Sequence, residues 1–158
     1  MSATPATAAL KKAGVAFIAH EYEPPGEAEG TYGEAIAAVL GVDPRRVFKT
    51  LVAVTDGQPV VAVLPVSGLL SMKALARARR AKRAEMAAPA EAERLTGYVI
   101  GGISPFGQKR RLPVVVDESL LGHTTVFVSG GRRGLQVEVA PGDLVALLGA
   151  AAADLLSG

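Results

Sequence analysis

Val47-Phe-Lys-Thr-Leu-Val-Ala-Val54 and Val60-Val-Ala-Val-Leu64 flank the pair Asp56-Gly57. Asp-Gly between two β-branched runs is a strong hairpin signal, because the favoured tight turn needs positive φ at both central residues. Neither face of this hairpin is written for water. On the first strand Val47, Leu51 and Ala53 share the side of Lys49, while Phe48, Val52 and Val54 take the other. A strand that is apolar on both faces is covered on both faces, so the hairpin predicts the middle of a layered sheet. Lys49 is the only charge in the strand: it either snorkels out at the strand end or is kept inside for use. Held inside, it would lose solvation, and its amine would become neutral at lower pH than an ordinary lysine. Thr50 beside it points to the opposite face of a regular strand.

The rest of the chain supplies layers around that hairpin. Thr4-Pro5 opens a helix that Gly14 stops, and Val15 to Tyr22 reads as a strand. Glu23-Pro-Pro-Gly-Glu27 is a loop, and Thr31-Tyr-Gly-Glu34 is a capping box for a helix running to Leu40. Asp43-Pro44 turns into the lysine strand. Ser71 caps a helix through about Arg80, Lys82 to Met86 is a short extended piece, and Pro89 opens a helix that ends before Gly97. Val114 to Asp117 is a strand. Thr124 to Ser129 and Leu135 to Val139 flank the turn Gly130-Gly-Arg-Arg-Gly134, and Pro141 opens a last helix through Leu148. Short strands interleaved with helices predict an α+β fold with a mixed, strongly curved, partly barrel-like sheet of about seven strands surrounded by helices. At 158 residues the chain is read as one domain over 1–158 with a substantial core.

Composition excludes several chemistries. There is no cysteine, so no disulfide framework, thiolate metal site or protein thiol nucleophile. The histidines, His20 and His123, are far apart, and no carboxylates cluster at metal-ligand spacing, so neither a metal nor another cofactor is expected. Net charge is only +2, but the cations gather at Arg45-Arg46, Arg77 to Arg83, Lys109 to Arg111 and Arg132-Arg133, and the acids between Glu21 and Glu34. That asymmetry suits a polyanion with a phosphate backbone better than a membrane. No stretch reads as a signal peptide or a membrane span, and a cytoplasmic protein is expected.

The stretch Tyr98-Val-Ile-Gly-Gly-Ile-Ser-Pro-Phe-Gly-Gln-Lys-Arg-Arg-Leu-Pro113 is the least like scaffold. A short apolar strand, Tyr98 to Ile100, runs into paired glycines that let another group approach the backbone. Three cations follow as a basic lip. By spacing alone this reads either as a solvated surface loop or as a pocket for an anionic ligand. Ser104 is no nucleophile-elbow serine, because the next residue, Pro105, has no amide hydrogen to hold an oxyanion. Ser129-Gly-Gly-Arg-Arg-Gly134 lacks the Lys-Ser/Thr ending of a phosphate loop and reads as a hairpin turn needing positive φ. Tyr22 and Tyr32 offer either stacking faces for a base or packing surface.

Val47-Phe-Lys-Thr-Leu51, Thr96 to Pro113 and Val126-Phe-Val-Ser-Gly-Gly-Arg-Arg-Gly134 together resemble the YbaK/EbsC family, free-standing relatives of the prolyl-tRNA synthetase editing domain. The resemblance covers nearly the whole chain. It implies a deacylase that hydrolyses mischarged aminoacyl-tRNA, chiefly cysteine on proline tRNA. Lys49 matches the essential lysine. Gly101-Gly102, with Ile103 and Ser104 following, match the backbone pocket around the ester, and Ser129-Gly130 line the same cavity. Tyr22, Tyr32 and Thr50 match substrate or terminal-adenosine positions, Tyr32 being commonly Phe there. Gln136 stands where the cysteine editors carry Asp, so the amino acid removed stays open between cysteine and another such as alanine or serine. A site without its own nucleophile fits a substrate that attacks its own ester: a cysteinyl thiol, pKa about 8.5, needs only positioning and modest proton help. Lys109, Arg110, Arg111 and Arg132 would hold tRNA phosphates. A transient complex with prolyl-tRNA synthetase is implied by analogy. A non-catalytic RNA- or ligand-binding module keeping the same pocket is the competing reading.

Overall fold

The computed structural model describes residues 3–25 and 32–157. In chain order its elements are α1 (Pro5–Lys12), β1 (Phe17–Glu21), α2 (Tyr32–Leu40), β2 (Phe48–Thr55), β3 (Gln58–Pro65), α3 (Met72–Ala78), β4 (Ala84–Met86), α4 (Pro89–Thr96), β5 (Val114–Asp117), β6 (Val126–Ser129), β7 (Leu135–Val139), α5 (Pro141–Leu148) and β8 (Ala151–Ala153). Short 3-10 turns over Pro44–Arg46 and Glu118–Gly122 complete the set.

The hairpin β2–β3 is the axis of the molecule. It pairs antiparallel from Phe48↔Pro65 to Thr55↔Gln58, and Asp56 and Gly57 take the positive φ that the turn demands, 46° and 82°. One face, with Phe48, Val52, Val61 and Val63, meets Leu10, Leu95, Phe106, Val128, Val137 and Leu144 in the main core. The other face, with Ala53, Val60, Ala62 and Leu64, meets Leu75, Val115 and Leu155. Both faces are covered, as the doubly apolar pattern predicted.

The fold is α+β and its larger sheet is mixed, but the strands do not form one partly barrel-like sheet. They divide into a five-stranded sheet, order β4-β2-β3-β5-β8, and a three-stranded sheet, order β1-β7-β6. The pairs β3–β5 and β5–β8 are parallel, and the other pairs are antiparallel. Val47 touches Phe127 through an isolated parallel bridge, and no ladder extends from it to close a barrel among the described residues. The sheets meet through side chains instead.

Two local readings need revision, and one strand carries no signal in the sequence. Tyr98 to Ile100 is not a strand. Gly97 (φ 80°) ends α4 in the left-handed region, Tyr98 turns inward to donate its hydroxyl to the Phe106 carbonyl at 2.7 Å, and Val99 and Ile100 are left exposed. β8 is a run of alanines with no strand signal, ordered by its parallel partner Val115–Asp117. α3, read through about Arg80, ends at Ala78 with Arg79 as its C-cap, after which the Asp56 carboxylate accepts the amides of Lys82 and Arg83 and ties the extended piece to the hairpin turn. The capping box at Thr31 lies outside the described residues.

Candidate active site

A cavity of about 570 Å³ opens where β2, the start of α2, the β4–α4 connection, the loop after Tyr98 and the ends of β6 and β7 converge. β2 brings Lys49 and Thr50; α2 brings Tyr32 and Ile36; the glycine loop brings Gly101 and Ile103; β6 and β7 bring Ser129 and Gln136. Each arrives for a local reason. Ser129 and Gln136 are register partners across β6–β7. Tyr32 reaches the cavity because Gly33 lets α2 lie against Val66, just past β3: a Cβ there would sit 2.5 Å from Cγ1 of Val66. Met86, Ala87, Pro89 and Ile100 form an apolar lip.

Lys49 is half-buried. Burial pushes its ammonium pKa below the ordinary lysine value, with the negative charge of Glu34 opposing. Three buried polar atoms on residues that line the cavity have no hydrogen-bond partner among the described residues: the Tyr32 hydroxyl, Thr50 Oγ1 and Gln136 Oε1. An unsatisfied buried group costs about 1–3 kcal/mol, and no other described side chain carries that cost. Gln136 is held on its other side, donating from Nε2 to the Tyr22 hydroxyl at 3.4 Å. Tyr22 itself is fixed by its amide on the Gly134 carbonyl, 3.0 Å, and burial raises its phenol pKa.

Gly101 sits at φ 90° and lines the cavity. The Gly102 amide is engaged by the Val99 carbonyl at 2.9 Å, and a Cβ on Gly102 would lie 2.9 Å from the Arg132 backbone. Gly102 therefore closes the turn that presents Gly101. Ser104 is fully buried behind the cavity, its hydroxyl accepting the Phe106 amide at 3.2 Å and its carbonyl the Gln108 side chain at 2.9 Å. Gly130 shapes the β6–β7 turn, its amide on the Leu135 carbonyl (2.8 Å) and its carbonyl accepting from Thr4 Oγ1 (2.6 Å). Ser129 Oγ accepts the Gly131 amide at 3.2 Å.

Seven of the sequence-picked residues thus line one cavity: Lys49, Thr50, Tyr32, Gly101, Ile103, Ser129 and Gln136. Tyr22, Gly102, Ser104 and Gly130 stand behind it as supports. Lys109, Arg110 and Arg111 are exposed and line none of it; Arg111 points towards Gly149 at the end of α5. Arg132 pairs with Glu21 at 3.6 Å. Sequence reasoning missed the apolar lip and Arg133, whose guanidinium sits 5.0 Å from the centre of the Tyr32 ring. Among the described residues no group of acids and histidines could hold a metal ion, and no helix is long and apolar enough to cross a membrane.

Residues 27–147 match the family model described as the aminoacyl-tRNA editing domain. An Enterococcus faecalis protein named as the Cys-tRNA(Pro)/Cys-tRNA(Cys) deacylase EbsC is 39% identical over 128 residues, 80% of this chain and 78% of that protein. The proline–tRNA ligase of Geobacter sp. (strain M21) is 37% identical over 99 residues, which are 63% of this chain and 17% of the ligase. A crystal structure described as a trans-editing enzyme for prolyl tRNA synthetase superposes with a TM-score of 0.83 at 27% identity, covering 100% of both chains.

Proposed function

Because the chain belongs to the aminoacyl-tRNA editing domain family, in its YbaK/EbsC branch, we propose that the cavity hydrolyses the ester of mischarged aminoacyl-tRNA, with cysteine on proline tRNA as its principal substrate. The observation that carries this reading is the meeting, in one cavity, of a desolvated amine, a glycine-turned backbone and three unpartnered buried polar atoms. A cavity of that volume is of the size that takes a nucleoside with a small acyl group.

Gln136 Oε1 and Thr50 Oγ1 receive the hydrogens of the substrate's α-ammonium. The ester carbonyl lies towards the glycine loop, where the Gly101 amide faces the developing oxyanion; the Gly102 amide is already engaged. The cysteinyl thiolate attacks its own ester carbonyl and forms a cyclic thioester. The bond from that carbon to the ribose oxygen breaks, and the oxygen leaves with a proton that Lys49 helps to deliver. Water then opens the thioester and releases cysteine. Requiring a thiol in the substrate rejects alanine by chemistry, where a pocket alone discriminates one heavy atom by about 1–3 kcal/mol. The exposed cations Lys109, Arg110 and Arg111, with Arg132, hold phosphates of the acceptor arm without reading sequence. Prolyl-tRNA synthetase is the expected transient partner, passing on the tRNA it has mischarged.

Gln136 favours a second reading, because an amide offers the ammonium a hydrogen bond but no full charge. In it the same machinery releases another small amino acid, such as alanine or serine, with water as the attacking group. A panel of cysteinyl-, alanyl- and seryl-tRNA decides between them. The first reading predicts cysteine release at least about tenfold above spontaneous hydrolysis, with slower release of the other two. Faster alanine or serine release supports the second. No acceleration on any of the three leaves a binding module without catalysis and overturns both.

A further inference from the structure

Arg133 occupies a place that neither the family assignment nor the proposed chemistry uses. Its guanidinium lies 5.0 Å from the centre of the Tyr32 ring. It also lies close against Gly101, where a Cβ would fall 2.6 Å from Nε and 2.7 Å from Nη2. Tyr32 and Gly101 both line the cavity, from α2 and from the glycine loop. The arginine therefore lies across two of its walls, at the rim, and is itself exposed. The lack of a side chain at Gly101 is what makes room for it.

Two features hold the group in this pose. The cation faces the electron-rich ring of Tyr32, and Nη2 donates to the Ile100 carbonyl at 3.4 Å. Neither neutralises it, and among the described residues no carboxylate pairs with it. Its neighbour is different: Arg132 turns the other way, to Glu21 at 3.6 Å, and donates from Nη1 to the Arg133 carbonyl at 3.2 Å. A stacked planar cation keeps its remaining N–H groups in a fixed fork, which matches two oxygens of a phosphate better than a mobile ammonium does.

We propose that Arg133 is the binding residue for the 5′-phosphate of the nucleoside whose ribose carries the ester. This rests on the deacylase reading, which puts the ester among Lys49, Gly101 and Gln136 and so leaves the nucleoside's phosphate at the rim. The arginine then sets how far the ester enters, by anchoring the one charged group next to the esterified sugar. Lys109 to Arg111, which line none of the cavity, serve the phosphates further along the acceptor arm.

A minimal pair of substrates isolates the contact: 3′-O-aminoacyl-adenosine and the same compound bearing a 5′-phosphate, the acyl group being the one the aminoacyl-tRNA panel shows to be released. Wild type should show a lower KM for the phosphorylated compound. Arg133→Ala should raise KM for it about tenfold, with kcat within about twofold, and leave the unphosphorylated compound nearly unaltered. Arg133→Lys should recover only part of the loss, because it keeps the charge and loses the fork. Equal losses on both compounds would mean that Arg133 merely props Tyr32, and would overturn the assignment, as would no change on either. Wild-type inertness towards both compounds and towards aminoacyl-tRNA would instead sink the deacylase reading, and this assignment with it. Thermal melts of both variants identify a loss caused by misfolding, and Arg133→Lys, which preserves length and charge, then carries the test.

Discussion

Gln136 and Glu138 stand two residues apart on β7 and project from the same face, yet the chain treats them in opposite ways. Glu138 is saturated. His20 Nε2 lies 2.9 Å from one carboxylate oxygen, the Thr125 hydroxyl donates to the other, and Arg46 approaches that oxygen at 3.4 Å. Arg46 also stacks over Phe127, 5.0 Å from its centre. Gln136, which lines the cavity with Tyr32 and Thr50, has a buried acceptor with no partner among the described residues. A few ångströms of sheet separate a cluster that stabilises the fold from one that is left incomplete. Polar groups are satisfied where they hold structure together, and left open where a ligand must complete them.

The strongest way to break this contrast is Lys49→Ala. Loss of the cavity amine should lower kcat/KM on aminoacyl-tRNA about 1,000-fold, or about 4 kcal/mol, while the thermal midpoint stays level or rises because a desolvated charge has been removed. Glu138→Ala should do the reverse. It strips His20, Thr125 and Arg46 of a shared partner and should cost about 2–3 kcal/mol in denaturant unfolding, with kcat/KM nearly retained.

The same residue predicts a pH dependence. The Thr125 hydroxyl, and then His20, hold the Glu138 carboxyl below its ordinary range against the opposing effect of burial. A carboxylate whose pKa is depressed on folding contributes stability above the unfolded value, about 4.3, and that contribution is lost as pH falls through the lowered folded value. Acid unfolding of Glu138→Gln should therefore show a weaker dependence on pH in that window than wild type does.

Smaller effects sharpen the picture. Thr50→Val removes an unpartnered buried hydroxyl with little change of shape. It should leave stability unchanged or raise it by up to about 1 kcal/mol while activity falls about tenfold. Tyr32→Phe should show the smallest change, a stability gain of a few tenths to about 1 kcal/mol in denaturant unfolding with activity within about threefold.

Much of this was legible in the chain because it rests on local rules. Asp56-Gly57 specifies its turn by φ alone, and the doubly apolar β2 and β3 specify layers on both faces whatever those layers are. Lys49 stands out because a charge in such a strand either snorkels out at its end or is kept inside for use. What was not legible depends on tertiary partners. Tyr98 to Ile100 has the composition of a strand, but the left-handed Gly97 and the hydroxyl bond of Tyr98 to Phe106 turn it into a loop, of which Ile100 lines the cavity. Alanines 151–153 become a strand only because β5 offers an open edge. The division into two sheets depends on which strand β3 and β5 choose as outer neighbour, and no propensity encodes that choice. Likewise nothing in Arg132-Arg133 says which arginine turns to Glu21 and which to Tyr32.

Ester hydrolysis in this cavity requires a half-buried amine that meets the ester, and the Lys49 side chain itself can report on that. Its ε-carbon resonance, followed by NMR across pH in lysine-labelled protein with and without a non-hydrolysable aminoacyl-adenosine amide, is the most direct measurement. Lys49 should titrate below the ordinary lysine value, and its resonance should move when the amide is added. A Lys49 that titrates at or above the ordinary lysine value and ignores the amide would contradict the account.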